Sequence, residues 1–238
     1  MLKKAIYTIF IIILSPTIRA QHKNSLITYN VVLSNENYYD STPLKKDYDL
    51  IINNKFSNEF ELSILNDTIS CFKIVEKLET DLDKHKLRLF KIFCGYSGTI
   101  FTNLKAKSTF INQNNQIGNY YVEKEAKEYE WEITTEKKTI ESYTCYKAIG
   151  KEKIKNPAGT FVNIITVWFA PEIPVQIGPL GFSGLPGLIL ELNRKGVTFG
   201  ATKILFENDI SNKIDFPEKD KIISEEKLNN LRKKYLDD

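Results

Sequence analysis

Apolar and polar residues alternate, or β-branched residues cluster, through most of the middle of the chain. "SLITYNVVLS" (25–34) and "EFELSILN" (59–66) read as strands, and "TISCFKIVEKL" (68–78) faces "LRLFKIFCGY" (87–96) across a polar turn. "GTIFTNL", "YYVEKEAKEYEWEI" and "IESYTCYKAIGKEK" follow, separated by short polar links. "GTFVNIITVWFA" and "LILEL" then precede "GVTFGATKILFE", the last two joined by the tight turn "NRKG". Short links between successive strands build an antiparallel meander, because parallel pairs need crossovers of a dozen residues or more. Beyond the first twenty residues one segment reads as a helix, "SEEKLNNLRKKYLDD" (224–238). There Ser224 can cap, Glu225 and Glu226 complement the first turn, and Leu228, Leu231 and Tyr235 share a face. The expected fold is mainly β, a single antiparallel meander forming a curved sheet or unclosed half-barrel with a short C-terminal helix.

In "FVNIITVWFA", Phe161, Ile165, Val167 and Phe169 point one way and Val162, Ile164 and Trp168 the other. A sheet with one wet face does not need a strand apolar on both sides. Either a further element covers the second face, or the curved sheet encloses a cavity.

The first twenty residues stand apart. "MLKKAIYTIFIIILSPTIRA" has a basic start, an apolar run from Ala5 to Leu14, a proline break and a small residue at Ala20. That is the layout of a secretory signal peptide, and the run is too short to span a bilayer, which takes about 20 apolar residues. Cleavage is expected between Ala20 and Gln21, leaving residues 21–238 as one β domain in the periplasm or medium, not anchored across a membrane. The cleavage also alters the charge. Removing Lys3, Lys4 and Arg19 from the 33 basic residues leaves 30 against 30 acidic ones, so the formal +3 belongs to the export signal. A neutral chain lacks the basic face a nucleic-acid binder needs. Hydrophobic residues at 42% and aromatic residues at 12% fit a globular core. The polar stretch at 34–49 is the one candidate for a long loop.

"GPLGFSGLPGLILEL" (178–192) breaks the strand pattern. Gly178, Gly181, Gly184 and Gly187 recur every third residue, and Pro171, Pro174, Pro179 and Pro186 make half of the eight prolines in the chain. Proline removes ladder donors and glycine admits close backbone approach, so a rigid irregular loop is expected. Phe182, Leu185 and Leu188 should be buried. A collagen reading fails because the period ends at Gly187.

These residues carry a resemblance. "VWFAPEIPVQIGPLGFSGLPGLILEL" resembles the signature of the GLPGLI family of exported proteins from Gram-negative bacteria, with the hexapeptide at Gly184, Leu185, Pro186, Gly187, Leu188 and Ile189. "WEITTEKKTIESYTCYKA" (131–148) and "FELSILNDTISCF" (60–72) are similar to further segments of that family. The resemblance implies an exported protein known by its motif rather than by an activity, and it supplies no catalytic residues. The motif residues Gly178, Pro179, Phe182 and 184–189 are therefore the segment to follow.

No other pattern names a reaction. The two histidines, His22 and His85, have neither a paired metal-ligand spacing nor a Cys-x-x-Cys beside them. Ser183 in "GFSG" lacks one residue of the nucleophile elbow. Glu172 and Glu191 flank the signature segment and could form a carboxylate pair, although the solvent side of strand ends is the plainer place for each. Gln21 and His22 could hold copper weakly through amine and imidazole, but an exposed terminal histidine is commoner than a ligand. No cofactor and no catalytic residue is expected. The function expected is a non-enzymatic binding or structural module of the envelope, presenting its Pro/Gly segment to another envelope protein or packing it as a clasp. A carrier of an apolar ligand in a half-barrel is the alternative, and an enzyme of unrecognised type comes third.

Export places three cysteines in a compartment where thiols oxidise. A hairpin centred on Asp81–Lys84 puts Cys71 directly opposite Cys94, with β-carbons about 4.5–5.5 Å apart, close to what a disulfide accepts. The expectation is a Cys71–Cys94 bond with Cys145 left as a buried thiol. A slip of one residue would part the pair and let Cys145 take either partner.

Overall fold

The computed structural model describes residues 24–34, 39–76, 80–115, 118–125, 129–156, 159–206, 214 and 216–237. The expected signal peptide and the Gln21–His22 terminus lie outside these residues. Twelve strands form one sheet in the order β12-β6-β5-β4-β3-β2-β1-β11-β10-β9-β8-β7. They are β1 (Asn24–Leu33), β2 (Glu59–Leu65), β3 (Ile69–Ile74), β4 (Ile100–Asn103), β5 (Ser108–Asn115), β6 (Gly118–Glu125), β7 (Trp131–Ile140), β8 (Tyr143–Asn156), β9 (Gly159–Ala170), β10 (Leu188–Arg194), β11 (Val197–Phe206) and β12 (Ile222–Ile223). The sheet is mostly antiparallel and not closed into a barrel; β12 joins β6 in parallel. Its meander runs in two halves, β1 to β6 and β7 to β11, zipped together where β1 pairs with β11 in the middle. The "NRKG" turn closes β10 onto β11 with Lys195 and Gly196 both at positive φ, as a two-residue hairpin turn of right-handed twist requires.

Three helices accompany the sheet: α1 (Lys45–Asn53), α2 (Asp81–Cys94) and α3 (Glu225–Asp237). The C-terminal helix starts as expected, with the Lys227 amide donating to Ser224 Oγ at 3.2 Å. Its Leu228 is buried with Val122 and Ile223. The other two helices depart from the sequence reading. The first occupies part of the stretch expected to be a loop, and α2 replaces the expected second hairpin strand. The cause is local. Thr80 and Asp83 form a reciprocal capping box, Gly95 ends the helix in the left-handed conformation at φ 67, and Leu89, Phe90, Phe93 and Cys94 all reach the core.

One principal core lies between the inner face of the sheet, these two helices and the Pro/Gly segment. Phe60 stands at its centre, stacked on Phe72 at 5.2 Å and edge-on to Phe199 and Tyr96 at 5.4 and 5.1 Å. Tyr48 of α1 meets Phe93 of α2 at 4.9 Å.

The cysteine expectation fails with the hairpin. Cys71, Cys94 and Cys145 are all free and buried. Because strand side chains alternate, Cys71 points away from Phe72 and packs with Phe101 and Phe110, while Cys94 sits in the main core on the other face. The sheet itself separates the two sulfurs that the hairpin register would have joined.

The double-faced apolar strand also resolves differently. Ile165, Val167 and Phe169 of β9 are buried, whereas Val162 and Ile164 on its other side are 53% and 57% exposed and Phe161 is 48% exposed. Among the described residues no element covers this part of the outer face, so the second apolar face faces solvent.

Candidate functional site

The segment between β9 and β10 is built by alternation without a ladder. Ile173, Val175 and Ile177 are buried while Pro174 and Gln176 between them are exposed. The Leu188 amide donates to the Ile173 carbonyl at 2.9 Å and the Ile189 amide to the Ile177 carbonyl at 3.0 Å, which stitches the segment to the start of β10. Ile177 forms an isolated bridge with Ser183. Between them runs a 3-10 turn, Pro179–Gly181, with Leu180 at φ 56 and Gly181 at φ 77. Phe182, Leu185, Leu188 and Ile189 are buried, as is Pro179; Gly184 and Pro186 are exposed.

Two glycines are required by close approach. A Cβ at Gly187 would lie 2.3 Å from the Ala170 carbonyl oxygen, and one at Gly178 would lie 2.5 Å from Ile189 Cβ. Trp131 of β7 reaches across to donate from Nε1 to the Ser183 carbonyl at 2.9 Å. Gly150 makes room for the Trp131 ring, since a Cβ there would come within 2.6 Å of it. Tyr129 stacks on Phe182 at 4.7 Å.

The segment roofs a groove over β4 and β5. One cleft, of 840 Å³, is lined by Asp67, Asn103, Lys105 and Lys107 on the sheet side and by Gln176 and Ser183 on the segment side. A second, of 380 Å³, continues past Tyr129 to Glu152, Arg194, Lys124 and Glu225. Thr109, Tyr129 and Gly181 line both, so the two are neighbouring parts of one groove. At the floor of the larger part the Thr102 hydroxyl is buried without a hydrogen-bond partner among the described residues, facing Gly181 from below.

At the inner end Arg194 Nε donates to Glu152 Oε2 at 2.7 Å, and Asn163 Nδ2 donates to the same oxygen at 3.3 Å. Glu152 is only 4% exposed, so its charge is held by partners rather than by water. The Arg194 guanidinium packs on Gly95, where a Cβ would come within 2.6 Å of it, placing a cation at the C-terminal end of α2. Burial pushes the Tyr129 phenol above its ordinary range, with Glu152 adding to the rise and Arg194 opposing it. The nearby Lys195 ammonium is lowered, first by burial and then by Arg194. Lys124 pairs with Glu225 of α3 and closes this end.

The residues singled out in the sequence distribute unevenly. Of the motif residues, Phe182 and Gly184 line the groove, Gly178, Pro179, Leu185 and Gly187 are buried behind it, Pro186 is exposed, and Leu188 and Ile189 open β10. Ser183 lines the groove, but His85 lies on α2, where its Nδ1 meets Arg88 at 3.5 Å. Glu172 accepts from the Thr144 amide at 3.3 Å, and Glu191 pairs with Lys138 at 2.7 Å beneath Trp168, so the two carboxylates serve separate contacts. Sequence reading missed Glu152, Arg194, Tyr129 and the lysines of the β4–β5 turn. None of them carried a sequence signal: Glu152 stands in the charged run "GKEK", opposite the polar Asn163, and reads as solvated surface.

Fold and site together define an open antiparallel β-sheet protein with a groove under a Pro/Gly-rich roof. Residues 152–191, from Glu152 through the roof into β10, match a family described as "Protein of unknown function (Porph_ging)". No curated protein matches the chain. Among solved structures the chain is similar to that titled "Structure of PNGF-II in C2 space group", with a TM-score of 0.50 and 17% identity over 87% of this chain and 32% of that one. A second, "Structure of PNGF-II in P21 space group", gives 0.49 and 17% over 88% and 33%. The chain thus spans about a third of the length of these proteins, and at this identity the first likeness concerns the fold alone.

Proposed function

We propose that this is an exported, non-enzymatic binding module of the cell envelope, in which the Pro/Gly segment is a structural clasp and one wall of a ligand groove. One observation carries the reading. The segment is divided lengthwise, its apolar side chains sunk in the core while Pro174, Gln176, Ser183 and Gly184 line an 840 Å³ cleft, a volume in the range of small-ligand sites. The signal-peptide layout and the resemblance to the GLPGLI family support export. The lining favours a polar ligand over a lipid, because Asp67, Asn103, Lys105, Lys107 and Gln176 all face the cleft.

The test is native capture. Protein purified from the envelope of its own host, alongside a Thr109→Trp variant that fills the groove, is denatured, and the released molecules are identified by mass spectrometry. A polar molecule released from the wild type and absent from the variant supports the reading. A lipid in its place supports the apolar carrier. Identical profiles from both proteins refute groove binding.

A further inference from the structure

The groove is electrically lopsided. At its inner end each cation has a carboxylate partner, Arg194 with Glu152 and Lys124 with Glu225. At its mouth the described lining residues include Lys105 and Lys107 against one carboxylate, that of Asp67. Neither of these lysines has an ion-pair partner among the described residues.

Both lysines sit on a turn that is fixed from two sides. Asn103 Oδ1 accepts from the Ala106 amide at 2.9 Å, and the Leu104 amide donates to the Thr68 carbonyl of the β2–β3 turn at 2.8 Å. Lys107 itself takes the left-handed conformation at φ 51 before β5 begins. A backbone held in this way presents two lysines from positions two apart with no loop ordering left to be done on binding, so that only their side chains have to settle. Opposite them the clasp contributes Gln176 and Ser183, which are uncharged hydrogen-bonding residues, and Tyr129 stands further in.

We propose that this mouth takes the anionic end of an elongated polar ligand. A carboxylate or phosphate group lies between Lys105 and Lys107, and the uncharged body runs along Gln176, Ser183 and Thr109 toward Tyr129. The assignment rests on the groove-binding reading above and adds to it a charge and a direction. Lysine suits either oxyanion, because its ammonium acts as a point charge without the planar fork that selects one geometry. Two exposed lysines also make capture of the anion sensitive to salt.

The experiment titrates the exported full chain with triglutamate, glycerol 3-phosphate and neutral triglutamine, and follows backbone amide resonances. The anionic probes should shift Thr109, Gln176 and Ser183 in a saturable, salt-sensitive way, with triglutamine about tenfold weaker. The tighter of the two anions identifies carboxylate or phosphate as the source. In Lys105→Ala with Lys107→Ala the preference over triglutamine should vanish while the melting temperature stays put, since both side chains are exposed. Equal affinity for triglutamine, or acid binding unchanged in the double variant, overturns the anionic assignment and leaves the groove reading standing. No shift with any probe also overturns it, and the groove reading then stands or falls by the native capture.

Discussion

The Tyr29 hydroxyl donates a 2.7 Å hydrogen bond to the carbonyl of Ile189, in the last position of the glycine-rich hexapeptide, from a ring that is wholly buried. The bond spans two strand spacings, because β11 lies between β1 and β10. It is needed because β10 pairs with β11 only from Glu191 onward, and a bulge separates Ile189 from Glu191 on the β9 side. Replacing Tyr29 by Phe keeps the ring and strands the carbonyl. We expect a loss of about 1–3 kcal/mol in urea unfolding, the cost of a buried acceptor left unsatisfied; an unchanged midpoint would show that the carbonyl has another partner.

The clasp should be least tolerant where backbone meets backbone. Gly187→Ala puts a methyl 2.3 Å from the Ala170 oxygen, and β9 has nowhere to retreat. Gly184→Ala meets only Trp131, with Nε1 3.5 Å away, and bears mainly the strain of its φ of 92. Thermal melts should therefore rank Gly187→Ala as the more damaging, at about 3 kcal/mol or more against about 1 kcal/mol for Gly184→Ala.

Arg194 and Glu152 should behave as a buried pair. Arg194→Met alone removes the paired guanidinium from the buried Glu152 carboxylate and should cost about 3 kcal/mol. The double change to Met at both positions should recover most of that loss, and a double-mutant cycle in denaturant measures the coupling. Additive losses would mean that the two charges do not depend on one another.

How much of this was legible depended on the range of the signal. The strands and α3 announce themselves through short periods and local caps, and the Pro/Gly stretch at 171–187 is visibly unable to be a strand. The error at α2 was one of weighting: Thr80, Asp83 and Gly95 give its start and stop, but the alternating apolar residues of "LRLFKIF" satisfy either period over so short a run. That one error carried the disulfide with it, since the Cys71–Cys94 register existed only in a hairpin. The groove lay beyond sequence reading altogether. Tyr129, Glu152 and Arg194 come from the approach to β7, from β8 and from β10, and Lys105 and Lys107 from the other half of the sheet, brought together by the β1–β11 pairing and the roof.

The thiols supply a pH test. Burial pushes Cys71 and Cys145 from an ordinary 9.0 up to about 11. The folded state thus binds protons that the unfolded state releases first, so their contribution to stability is complete below pH 9 and is lost as pH rises toward 11. Urea midpoints should fall across that window, and Cys71→Val with Cys145→Val should flatten the fall. At pH 8 iodoacetamide should label none of the three until the protein unfolds; rapid labelling of native protein would contradict their burial.

The most direct test of the clasp is hydrogen exchange at the Leu188 and Ile189 amides, which bond outside any strand ladder to the carbonyls of Ile173 and Ile177. If the Pro/Gly segment is a structural part of the fold, both amides exchange as slowly as that of Leu192 in the ladder, through global opening alone. Exchange at the pace of an open loop, with Leu192 still protected, would contradict it.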